Sequence, residues 1–397
     1  MSNNNRVEFA NTLRGVAALV VVVSHYLGAF WTNRAAVAHL TISPELTIEQ
    51  FATPSYAQLV TALPVISLGG FGVALFFLIS GFVITFSMTK ASVSGFLISR
   101  AMRIYPTYIV GFSVTLFMLF MSTAYFKTGF NISLGEVLIH FSAGLRDILG
   151  SRNIDSIIWT LEIEMKFYVF VAVAYCLAQK NILYFLCSPV LIFAFSMLGA
   201  AYYTPIAIIS PSLAVAVTAI GFCGQFIIYM FIGTAINFMF KGEIKPEVCF
   251  GFVVLYMLLF LFQWSATPLV SSFSVAWSYG AALLLFLVSY SNRERFIGGK
   301  LVEFFANISY PLYVIHGVAG YVALRVLLDL GVDAWMSIVI VFSVVVMLSW
   351  VIHFLVEKPT QILGKRLSKS WERERIPANQ TLSELFYAPG KSTFITA

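Results

Sequence analysis

A chain of 397 residues with 59% hydrophobic, 16% aromatic and only 11% charged residues carries far less charge than the roughly 25% usual in soluble domains. That balance excludes a water-soluble globule and places the chain in a bilayer. The formal charge of +6 is a topology signal carried by the loops and makes no case for nucleic acid as a partner.

A membrane-crossing helix needs about 20 apolar residues, and ten such spans are predicted, at 13–31, 65–88, 104–123, 157–178, 182–202, 213–240, 248–263, 272–290, 304–328 and 334–356. No segment alternates over the about 10 residues of a transmembrane strand. The expected fold is all-α, a polytopic membrane helix bundle, with residues 1–364 as the membrane domain and 365–397 as a basic cytoplasmic tail. An even number of spans puts both termini on one side, with Arg6, Arg14, Lys90, Arg100, Arg103, Lys180, Arg293 and Arg295. Arg34, Lys127, Arg146 and Arg152 face the other side. The excess of Lys and Arg makes the first side cytoplasmic. The first span outruns the about 7–15 residues of a signal-peptide core, so it is read as a retained helix. The segment 32–64 is the longest external loop, and 124–156 is expected to hold a short interfacial helix near 137–145.

Within the first span, Arg14 and His25 are eleven residues apart, which leaves them within roughly 20° of one helix face and roughly 16 Å apart along the axis. Ionisable groups at membrane depth are functional candidates by default. For Arg14 the competing reading is a snorkelling anchor, and for His25 an inter-helix hydrogen bond. The second span carries Gly69, Gly70, Gly72 and Gly81 among large residues, a pattern for close helix packing. It is not a phosphate loop, because no Lys-Ser/Thr pair follows.

Arg100 and Arg103 share a face just before the third span and, with Lys90 and Arg14, form a basic cluster suited to phosphate or to lipid headgroups. In the fourth span, Glu162 and Lys166 are spaced to pair on one face. Glu164 points elsewhere, and in the outer half of the membrane it is expected to orient a histidine. In the ninth span, His316 lies about 12 residues, roughly 18 Å, from the cytoplasmic end, a depth close to that of His25. The two histidines are expected to meet. Cys176, Cys187, Cys223 and Cys249 lack zinc or redox spacing and are expected as buried small hydrophobes, with no disulfide framework and no metal site.

Taken in order, these segments resemble the acyltransferase-3 family of integral membrane acyltransferases. The resemblance rests on Arg14 with ten residues before His25, on Gly69 to Phe82, and on Arg100, Arg103, Ile104, Pro106 and Tyr108. It continues through Trp159 to Tyr168, Ile308 to His316, and Glu357, Lys358 and Pro359. Thr160 stands where the family commonly has Ser. The resemblance implies a ten-helix bundle in the bacterial inner membrane that takes an acyl group, often acetyl, from a cytoplasmic acyl-CoA such as acetyl-CoA. It implies delivery to a hydroxyl of an envelope carbohydrate such as O-antigen or exopolysaccharide. By the same resemblance His25 is the leading catalytic residue, and the reading of the spans adds Glu164 or His316 as the group that orients its ring or passes the proton on. Arg14, Arg100 and Arg103 are the coenzyme A contacts, no metal is needed, and a separate periplasmic protein is a candidate partner. A proton-coupled transporter or flippase of a glycan or lipid-linked substrate is the alternative, since the same intramembrane His and Glu would suit a proton relay.

Overall fold

The computed structural model describes residues 8–61, 66–88, 92–142, 144–179, 181–266, 273–296 and 299–375. Lys90, Lys180, Arg6 and the tail beyond 375, all used above to orient the chain, lie outside these residues.

Every regular element among the described residues is helical. The first span is α1, Glu8–Val23, continued by a π-helical turn at Ser24–Ala29. There follow α2, Leu68–Met88, α3, Val93–Phe126, the short α4, Leu134–Phe141, and α5, Ile158–Ala178. Next come α6, Ile182–Ala201, α7, Pro211–Phe240, α8, Pro246–Ala266, and α9, Phe273–Ser291. The chain continues through α10, Lys300–Ile315, α11, Val318–Asp329, and α12, Ala334–Ile352. A second π-helical turn, His353–Glu357, leads into α13, Lys358–Arg375.

By length and composition eight helices among the described residues can cross a membrane, and nine if the bent pair α10 and α11 is one span. The remaining predicted span forms α5, whose first half carries Glu162, Glu164 and Lys166. α1 packs against both α2 and α10, and α2 packs in turn on α7 and α9. These contacts are close because of glycine. A Cβ on Gly81 would lie 1.9 Å from the Met230 carbonyl oxygen, and one on Gly233 would lie 2.1 Å from that of Leu78. The backbones of α2 and α7 therefore touch, which only small residues allow. Gly72 brings α2 equally close to α1, where a Cβ would meet Val21 Cγ2 at 2.5 Å.

The ninth span is not the single helix expected over 304–328. α10 and α11 meet at a bend of 73°, with His316 and Gly317 between them. Gly317 leaves helical geometry at ψ −115° and packs without a side chain on the segment just before α5, where a Cβ would lie 3.1 Å from Ile157 and 3.2 Å from the Asp155 carbonyl.

The loops are tied to the bundle by buried polar groups. Arg34 donates from Nε to the Trp31 carbonyl, from Nη1 to the Leu46 and Thr47 carbonyls, and from Nη2 to the Phe51 carbonyl and Thr53 Oγ1. All five N–H donors are used, which folds the 32–54 segment, expected as loop but helical at Arg34–Thr41, over the end of the first span. α4, a little before the position expected, opens with a capping box between Ser133 and Glu136. It carries His140, whose Nδ1 faces the Glu136 carbonyl at 3.2 Å while its Nε2 accepts from the Ile154 N–H at 3.0 Å. Burial holds this ring neutral, with its pKa lowered to about 4.

The boundary expected at 364 lies within α13, which packs along α3 with Gly364 against Met102 and Ser99. Cys223 and Cys249 are buried as expected, but Cys187 is exposed on the outside of α6. The side chain of Cys176 is outside the described residues.

Candidate active site

Two cavities lie on either side of one pair of residues. The smaller, about 70 Å³, is lined by Arg14 from α1, Ser80 from α2, Arg103 from α3, Thr160 and Glu164 from α5, and Tyr310 from α10. The larger, about 350 Å³, holds His25 and is walled by Gly69, Gly70, Ser156, Trp159, Phe226, Trp264 and Tyr279. Val73 and Tyr313 line both. Arg14 and His25 thus open on the same side of the first span, toward α2 and α10, but into different cavities.

His25 sits in the π-helical turn, where the i to i+5 bonding pattern widens the backbone; such turns are frequent at functional sites. Its ring stacks on Tyr321, with centroids 5.6 Å apart, and faces His316 at 4.8 Å. Nδ1 is enclosed and has no hydrogen-bond partner, so Nε2 is the edge open to the cavity.

His316 is placed by the helix break. Its Nδ1 lies 2.7 Å from the Tyr313 carbonyl and 3.1 Å from that of Leu312, both acceptors, which puts the proton on Nδ1 and leaves Nε2 as a lone pair. That Nε2 is enclosed and unpartnered. The carbonyl freed at His316 accepts from the Tyr26 hydroxyl at 2.9 Å, so the residue after His25 ties the π turn to the break. Gly320 makes room for this contact, since a Cβ there would lie 2.1 Å from Tyr26 Oη. The contrast with His140 is informative. Buried polar atoms are normally paired, and each exception needs an explanation. His140 has both nitrogens bonded, whereas His25 and His316 face each other with an unsatisfied nitrogen each.

Glu164 does not reach either histidine. It accepts from Ser80 Oγ at 3.0 Å and from the Tyr168 hydroxyl, and it lines the arginine cavity. No hydrogen bond or ion pair among the described residues engages the guanidinium groups of Arg14 and Arg103, which line the cavity together with the Glu164 carboxylate. Arg100 turns away from that cavity. It donates to Ser87 Oγ and lies over the rings of Phe96 and Tyr168, at 5.5 and 5.4 Å.

Glu162 and Lys166 do not pair with each other. Glu162 takes a bidentate contact from Arg146, at 2.9 and 2.6 Å, and Lys166 binds Asp147 at 2.9 Å. Those partners arrive from the preceding loop, which local spacing could not show. Asp155 also escaped the sequence reading. It accepts from the first N–H groups of α5, at Ile157 and Ile158, and from the Tyr108 hydroxyl at 2.9 Å. An Asp just ahead of an apolar helix is a capping signal that could have found it. No group of His, Cys, Asp or Glu among the described residues is arranged to hold a metal.

Fold and site together define a polytopic membrane protein with unsatisfied polar groups converging inside its bundle. The family model described as an acyltransferase domain, acyltransferase-3, matches residues 7–354, and the chain belongs to that family. It is a membrane acyltransferase. No curated protein and no solved structure gives a match.

Proposed function

We propose that the protein moves an acyl group, acetyl by preference, from a cytoplasmic acyl-CoA to a hydroxyl of a cell-envelope carbohydrate in the bacterial inner membrane. One observation carries this reading. The cavity lined by the Arg14 and Arg103 guanidinium groups and the cavity with His25 share the wall formed by Val73 and Tyr313.

Guanidinium groups pair with phosphate oxygens in a bidentate fashion. Arg14 and Arg103 would hold the phosphates of coenzyme A at the basic end of the bundle, with both chain termini on that cytoplasmic side. The thin pantetheine arm would then run along α1 toward His25. The larger cavity suits the acceptor, because aromatic walls with a few polar groups are typical of small-molecule sites. A sugar ring can lie against Trp159, Trp264 and Tyr279. It would enter from the opposite face of the membrane, with or without a separate periplasmic partner.

In the reaction, His25 Nε2 takes the proton of the acceptor hydroxyl as its oxygen attacks the thioester carbon. The carbon–sulfur bond breaks, and the sulfur leaves with that proton as coenzyme A thiol. His25 Nδ1–H donates to His316 Nε2 as charge develops, a contact that tightens during reaction as such contacts often do. His316 is in turn fixed by the Tyr313 and Leu312 carbonyls. Membership of the family favours this transfer over proton-coupled transport.

Mass spectrometry of surface glycans with and without the gene tests the reading. One class of glycan should lose a mass equal to an acyl substituent, about 42 Da for acetyl, when the gene is removed. Unchanged envelope glycans would count against a carbohydrate acceptor.

A further inference from the structure

We propose that Tyr313, held by Thr160, is the partition that an acyl thioester must cross to reach His25 and that, with Val73, it limits the acyl group to a short chain. The proposal rests on the donor and acceptor assignment above. Without a partition, a thioester bound at Arg14 and Arg103 would be open to any water in the larger cavity, and excluding water is what prevents loss of a reactive group.

The Tyr313 side chain is built for that position. Its hydroxyl lies 2.9 Å from Thr160 Oγ1, and Thr160 Oγ1 itself donates to the Ile157 carbonyl at 3.0 Å, so the tyrosine is the donor of the pair. Thr160 lines the arginine cavity and Ile157 the His25 cavity, which places this short chain of hydrogen bonds on the boundary. The ring meets Phe76 edge-on, with centroids 5.6 Å apart, from the arginine side. On the other side it approaches His316 at 5.5 Å. Tyr313 lies within α10, and its carbonyl is one of the two that orient His316. The ring can therefore swing about its own side-chain bonds, giving up its hydrogen bond to Thr160 and its ring contacts to Phe76 and His316, without moving the backbone that holds the histidine. The gap it opens is bounded by Val73 on α2, a β-branched residue with little rotamer freedom. An acetyl group passes such a gap more easily than a long acyl chain.

The test uses the purified full-length protein and measures coenzyme A release from acetyl-CoA and hexanoyl-CoA without any carbohydrate. In this side reaction water attacks the thioester carbon, the carbon–sulfur bond breaks, and the carboxylic acid and coenzyme A thiol are formed. Tyr313→Ala should raise acceptor-independent release at least tenfold and should raise the hexanoyl to acetyl ratio by a similar factor. Tyr313→Phe and Thr160→Val, which keep the ring and remove the tie, should raise release about threefold with a smaller change in the ratio. Equilibrium binding of acetyl-CoA is measured on the same preparations and also reports whether each variant is folded. Normal binding with unchanged release and an unchanged ratio in Tyr313→Phe and Thr160→Val would overturn the partition and leave the proposed function standing. Failure of the wild-type protein to bind acetyl-CoA would overturn both.

Discussion

His25 and His316 face each other with ring centroids 4.8 Å apart, one on a π-helical turn and the other at the break between two helices. Each placement departs from a regular helix, and each leaves one enclosed nitrogen without a partner. The backbone fixes the proton of His316 on Nδ1, so its Nε2 can only accept. In the proposed reaction His316 is therefore the group that orients His25, accepting from its Nδ1–H.

His316→Ala should lower kcat at least tenfold and change KM for acetyl-CoA by less than about threefold, because the donor cavity is untouched. General acid–base catalysis is worth about 10²–10⁴-fold, and misorienting the base forfeits part of it. His316→Gln, which can present an oxygen acceptor, should recover some of the loss. Steady-state kinetics of the two variants check this. A pure KM effect would place His316 with the substrate instead.

Arg14→Ala and Arg103→Ala should each weaken acetyl-CoA binding by about tenfold or more, since a hydrogen bond to a charged group contributes about 1.5–3 kcal/mol. Arg100→Ala should behave differently. Its guanidinium donates to Ser87 and lies over two aromatic rings, with Nε buried and unpartnered, so thermal stability should fall along with any loss of affinity. Equilibrium binding and thermal unfolding in detergent separate the two effects.

Stability should depend on pH through His140. Its pKa is lowered by burial to about 4, below the about 6.5 expected when unfolded, so the unfolded chain binds the extra proton first. Stability from this group is present above about pH 6.5 and is lost as the pH falls toward 4. His140→Gln, which cannot be protonated, should flatten that part of the profile. Thermal unfolding between pH 4 and 8 measures it.

Gly81→Ala and Gly233→Ala should each destabilise the fold by at least about 1–3 kcal/mol, because the added Cβ would overlap the backbone of the facing helix. Gly251→Ala meets nothing within 4 Å and should be tolerated. Yield of monodisperse protein and the unfolding midpoint compare the three.

Part of this site was legible in the sequence and part was not, for definite reasons. The spans follow from apolar length, and the meeting of His25 and His316 follows from counting depth along two helices that are regular up to those residues. Membrane side groups Arg14 with Arg100 and Arg103, but only Arg14 and Arg103 line one cavity, while Arg100 turns to Ser87. The break at Gly317 could not be read, because a lone glycine in an apolar run fits a helix as well as a bend. Glu162 and Lys166 have the spacing of a pair, yet Arg146 and Asp147 reach them from the loop and compete successfully. Depth alone points Glu164 to a histidine, and only tertiary packing shows Ser80 and Tyr168 as its partners. Tyr313 lies inside the Ile308 to His316 motif, but its position between two cavities is a property of the fold.

The most direct test of the account is acyl transfer by His25 variants, assayed with labelled acetyl-CoA in membranes bearing the native glycan. His25→Ala and His25→Gln should both lose at least about a hundredfold in transfer while binding acetyl-CoA normally, because Arg14 and Arg103 remain and neither replacement accepts a proton at neutral pH. Transfer by His25→Gln at a rate near that of the wild-type protein would contradict the account, since a residue that only hydrogen-bonds would then suffice.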